Sequence, residues 1–73
     1  MTREEVIKAY KEESPVDYRP DEELCFRYNR IHGYEVTRRE DGAEEFKVIL
    51  FDEEPRKRVT ITLPEKVFPA KID

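Results

Sequence analysis

The chain has 73 residues, with 14 Lys+Arg against 18 Asp+Glu, 37% hydrophobic residues and 44% charged ones. One small domain spanning residues 1–73 is expected, burying only about 60% of the surface of its unfolded chain, so packing consumes nearly every apolar side chain and leaves little for a deep active site. A net charge of −4 and a pI near 5.1 argue against non-specific nucleic-acid binding, which needs surplus cations to displace counterions from phosphates.

Thr2 followed by Glu5 has the spacing of a capping box, so a helix should start at residue 3 and run to 13, where Ser14-Pro15 ends it. Val6, Ile7 and Tyr10 form its apolar stripe, while Glu4, Lys8, Lys11 and Glu12 point away. Pro15 to Pro20 reads as an extended connector, with Val16 and Tyr18 as candidate anchors on the core. Beyond it the apolar period becomes two, which predicts strands near 23–30, 34–39, 43–52 and 57–63.

Both glycines separate these runs. A three-residue loop with Gly42 in the left-handed region sets Val36 opposite Phe46, Tyr34 opposite Val48, Glu35 opposite Lys47 and Arg38 opposite Glu44. The same construction around Ile31-His32-Gly33 sets Tyr28 opposite Val36 and Arg30 opposite Tyr34. A four-residue loop from Glu53 to Arg56 pairs Leu50 with Val59, Val48 with Ile61 and Asp52 with Lys57.

The expected fold is α+β: an N-terminal helix packed on a four-stranded antiparallel β-meander. The tail 64–73 either folds under the sheet or adds a fifth strand that curls it partly towards a barrel. The core face would hold Leu24, Phe26, Tyr28, Tyr34, Val36, Phe46, Val48, Leu50, Val59, Ile61 and Leu63 under Val6, Ile7 and Tyr10. The outer face would hold Cys25, Arg27, Asn29, Glu35, Thr37, Arg39, Glu45, Lys47, Ile49, Phe51, Thr60 and Thr62.

No catalytic set emerges. Cys25 and His32 are the single thiol and single imidazole of the chain, and seven residues apart on one strand they would sit roughly 23 Å from each other. One cysteine and one histidine fall short of a zinc site without carboxylates, and no spacing resembles a calcium loop. Two glycines, both needed in turns, leave none for a phosphate-binding loop. No enzyme activity, cofactor or metal is expected.

A single cysteine excludes an intramolecular disulfide and favours a reducing, cytoplasmic setting. The longest apolar run, Val48 to Phe51, falls far short of the ~20 residues that span a bilayer, so no membrane partner is expected.

The leading expectation is a non-enzymatic protein-interaction or regulatory module that contacts a protein through Arg27, Arg39, Lys47, Ile49, Phe51, Thr60 and Thr62 on the outer face. A variant is an acidic inhibitor of a nucleic-acid-handling protein. Its contact patch would be Asp21, Glu22 and Glu23 together with Glu40, Asp41 and Glu44, which the meander brings to one end. The alternative is a module that stacks single-stranded nucleic acid on the same outer face, a reading the net charge disfavours.

Overall fold

The computed structural model describes residues 1–52 and 58–70. Its elements are α1 (Arg3–Glu12), β1 (Val16–Tyr18), β2 (Phe26–Tyr28), β3 (Ile31–Arg38), β4 (Glu44–Asp52), β5 (Arg58–Thr62) and β6 (Val67–Pro69), with a 3-10 turn at Pro64–Lys66 before the last. The strands form two three-stranded antiparallel sheets, ordered β2-β1-β6 and β3-β4-β5. The class is therefore α+β as expected, but the continuous meander is replaced by two sheets and there is no closed barrel.

Helix α1 starts where the capping box requires: the Thr2 hydroxyl accepts from the Glu5 amide at 3.2 Å, and the Glu5 carboxylate accepts from the Thr2 amide at 2.9 Å. The hydrogen bonds from Thr2, the backbone one first, hold the Glu5 carboxyl below its ordinary pKa. The helix ends one residue before the predicted limit. Glu13 adopts the left-handed conformation (φ 54°), and the Ser14 amide donates to Ala9 at 3.0 Å. Val6 and Ala9 are its buried residues, while Ile7 is half-buried and Tyr10 is exposed, edge-on to Tyr34 with ring centroids 5.5 Å apart.

The β3–β4 hairpin has the predicted register at all four pairs, Val36–Phe46, Tyr34–Val48, Glu35–Lys47 and Arg38–Glu44. Gly42 turns the loop with φ 89°, and the Arg39 amide donates to Ala43 at 2.7 Å.

Three expectations are overturned. First, the predicted first strand (23–30) keeps only residues 26–28, and it pairs with 16–18 rather than with the strand that follows, so Tyr28 lies opposite Val16 and not Val36. Ile31, His32 and Gly33 belong to β3 itself; a bulge between Ile31 and Gly33 keeps Ile31 on the inner face opposite Leu50.

Second, the Pro15–Pro20 connector contains β1, the central strand of its sheet, and the tail supplies β6 to that same sheet instead of a fifth strand of the predicted meander. Third, β4 and β5 pair one residue away from the prediction: Phe51 meets Val59, Leu50 meets Thr60, Ile49 meets Ile61 and Val48 meets Thr62. A one-residue shift exchanges the two faces of a strand. The turn assigned to Glu53–Arg56 lies outside the described residues, and Asp52 pairs with Arg58 instead of Lys57.

The core consists of Val6, Ala9, Val16, Ile31, Val48, Leu50 and Val67, with Met1, Tyr18, Tyr28, Tyr34 and Phe46 packed against it. Leu24, Phe26, Val36, Val59, Ile61 and Leu63, all assigned to the core face by periodicity, are exposed instead. Ala9, Ile31 and Val67 take the places the pattern did not give them.

Two backbone positions test this account. Gly42→Ala should cost about 1–2 kcal/mol in urea unfolding, because open space surrounds the added Cβ and the left-handed backbone alone opposes it. Glu13→Gly, at a helix end already left-handed, should leave stability unchanged or raise it by up to about 1 kcal/mol.

Candidate functional site

The outer face of the β3-β4-β5 sheet is built by the β4–β5 register. Ile49 and Phe51 project there from the central strand, and their partners Ile61 and Val59 project beside them. Ile61 is 57% exposed and Val59 56%, against half-burial of Ile49 and Phe51. The bulge in β3 turns His32 to this face, where its ring lies 5.4 Å from that of Phe51. The result is a contiguous patch of four branched or aromatic side chains beside an imidazole, a kind of surface that marks interaction sites more often than isolated exposed residues do.

Beyond the patch, an open depression of about 350 Å³ is lined by Tyr18, Pro20, Ile61, Thr62 and Leu63 together with Lys47 and Lys66. Its walls come from both sheets, because β1 and the segment after β5 converge there: the Arg19 amide donates to the Lys66 carbonyl at 2.9 Å.

The charged end of the same face is internally paired. Arg39 donates through both Nε and Nη2 to Glu45, the Nε bond being 2.7 Å, and Lys47 lies 3.6 Å from the other Glu45 oxygen. The Arg39 guanidinium, hydrogen-bonded to it, holds the Glu45 carboxyl below its ordinary pKa, with a smaller contribution from Lys47.

Of the residues expected to share one face, Lys47, Ile49 and Phe51 do, with Arg39 bonded to Glu45 at the end of that face. Thr60 and Thr62 do not: they lie opposite Leu50 and Val48 on the inner side, and the Thr60 hydroxyl is 3.3 Å from the Tyr28 hydroxyl. Arg27 is in the other sheet, where its Nε donates to Asp17 at 3.0 Å. Asp17 is only 3% exposed, so this pair is a partly buried ion pair across the β1–β2 register. Val59 and Ile61 are the patch residues that sequence reasoning missed; their signal is β4 itself, apolar on both faces and so permissive of either register.

The meander that was to bring the two acidic segments to one end is replaced by two sheets, and Asp21 and Asp41 each close a local turn. Asp21 accepts from the amides of Glu23 (2.8 Å) and Leu24 (3.0 Å), Asp41 accepts from Ala43 (3.0 Å), and Glu44 meets Arg3 at 3.4 Å. Glu22 and Glu40 are exposed. Cys25 is an exposed free thiol just before β2 and His32 stands in β3, so the two are not on one strand as expected. Among the described residues no group of three or more His, Cys, Asp or Glu side chains is arranged to hold a metal ion, and no helix is long and apolar enough to cross a membrane.

Comparison of the chain with family models, with curated proteins and with solved structures gives no match.

Three substitutions test the ion pairs. Arg27→Ala should lower unfolding stability by about 1–3 kcal/mol, because a buried carboxylate loses a charge-assisted hydrogen bond. Lys8→Ala, at the exposed 4.0 Å pair with Glu12, should change stability by no more than about 0.5 kcal/mol. Glu45 titrates below the ordinary carboxylate midpoint of about 4.3. Its contribution to stability is therefore complete above that midpoint and lost as pH falls through the depressed folded-state value. In an NMR titration, Arg39→Gln should move the Glu45 midpoint upward towards the ordinary range.

Proposed function

We propose that the chain is a small, non-enzymatic, cytoplasmic interaction module that binds a protein partner through the outer face of the β3-β4-β5 sheet. The observation that carries this reading is the β4–β5 register, which sets Val59 and Ile61 beside Phe51 and Ile49 on the solvent side. In a chain with 37% hydrophobic residues, exposing these while threonines face inward is a cost to folding that burial against a partner offsets.

The chemistry of the face suits a protein better than a nucleic acid. Aromatic and branched apolar side chains form its centre, and its cations Arg39 and Lys47 are already bonded to Glu45, which reduces the positive charge a phosphate backbone would meet. The surrounding charge forms the polar rim of such an interface. An exposed free Cys25 accords with a reducing compartment.

The test is affinity purification with the wild-type chain and with Phe51→Glu, each checked for native far-UV circular dichroism. Partners retained by the wild type should be lost by at least tenfold with the variant, since Phe51 sits at the centre of the patch. Equal retention by both would remove this face from the binding account, and recovery of single-stranded nucleic acid in place of protein would favour the other reading.

A further inference from the structure

The two sheets present four edge strands, and three of them carry features that discourage further pairing. β2 and β6 are three residues long, β2 carries Arg27 and β6 ends in Pro69; β3 carries Glu35 and Arg38 and is interrupted by the bulge between Ile31 and Gly33. β5 begins with the charged Arg58, but it has none of these features along Val59-Thr60-Ile61-Thr62. That stretch is uncharged, contains no proline and pairs with β4 in unbroken register. It is also β-branched at every position, the composition that favours strand addition.

We infer that β5 is a homodimerisation edge, on which a second copy of this chain adds its own β5 in antiparallel orientation centred on Thr60. An antiparallel self-pair matches a strand with its own reverse, so residues equidistant from the centre must suit each other. Val59 of each copy then faces Ile61 of the other on the outer side, twice over, and Thr60 faces Thr60 on the inner side. In the same register Arg58 of each copy falls opposite Thr62 of the other, so the pairing sets no like charges directly opposite each other despite the net −4 of each chain.

Because each copy contributes its least defended edge among the described strands, the contact is isologous and closes at two chains rather than growing into a fibre. The product is a continuous six-stranded sheet in which the two outer apolar patches become one surface, with the Val59 and Ile61 side chains of both copies side by side at its centre. This inference goes beyond the partner-binding reading and does not depend on it: Phe51, the residue that tests the partner, lies on the central strand, away from the edge.

Sedimentation equilibrium of the full chain from micromolar to millimolar concentration should show an 8.8 kDa species converting to one of twice that mass. Val59→Lys and Ile61→Glu should each be monomeric where the wild type is dimeric. Their equimolar mixture should restore the dimer, because the two substituted positions meet across the pair. A wild type that stays at 8.8 kDa throughout, single variants that still dimerise, or a folded mixture that stays monomeric would each overturn the inference. Hydrogen exchange on the wild type decides the matter even if a variant fails to fold. Slowing at high concentration confined to β5 amides supports the pairing, and slowing at β2 or β6 instead refutes it.

Discussion

Val48 and Leu50 on the central strand β4 are fully buried, and the seven-residue core they belong to draws side chains from α1, β1, β3, β4 and β6. A chain this short and this charged has apolar material for one such cluster, so each element is positioned by the single side chain or pair it delivers there. Val6 and Ala9 fix α1, Val16 fixes β1, Ile31 fixes the start of β3 and Val67 fixes β6. The second sheet exists because Val16 and Val67 must reach the cluster from the side that the β3-β4-β5 sheet leaves open, and their strands satisfy their backbone groups by pairing with each other.

The same constraint explains the exposed face. Inner positions on β5 lie opposite Val48 and Leu50, and threonines occupy them, one meeting the Tyr28 hydroxyl where the two sheets approach. The larger residues of β5 are thereby directed outward, beside Ile49 and Phe51. One register choice thus makes both the packing between sheets and the apolar surface. The charged groups at the Arg39 end are paired among themselves, which leaves the apolar centre as the distinctive chemistry of that face.

Legibility in the sequence followed the number of independent constraints on each element. Helix α1 was readable because a capping box, an apolar stripe and a proline stop coincide within fourteen residues. The β3–β4 hairpin was readable because Gly42 is needed for a left-handed turn while Val36, Phe46, Tyr34 and Val48 all demand one face. β5 had no such second constraint: β4 is apolar on both faces from Val48 to Phe51, so alternation alone could not choose between two registers. Lys47, Ile49 and Phe51 were therefore legible as members of the candidate site, and Val59 and Ile61 were not.

By itself, then, the sequence determined the α+β class, the helix with its cap, the β3–β4 register and the shortage of apolar residues that permits only a thin core. These are local or nearest-neighbour properties, set by turn chemistry, capping and side-chain period. Tertiary structure alone decided the division into two sheets, the pairing of Val16–Tyr18 with both Phe26–Tyr28 and Val67–Pro69, and the face on which Val59 and Ile61 lie. Those choices depend on which distant side chains fill the volume around Val48 and Leu50, a competition among segments more than half the chain apart that no local pattern encodes.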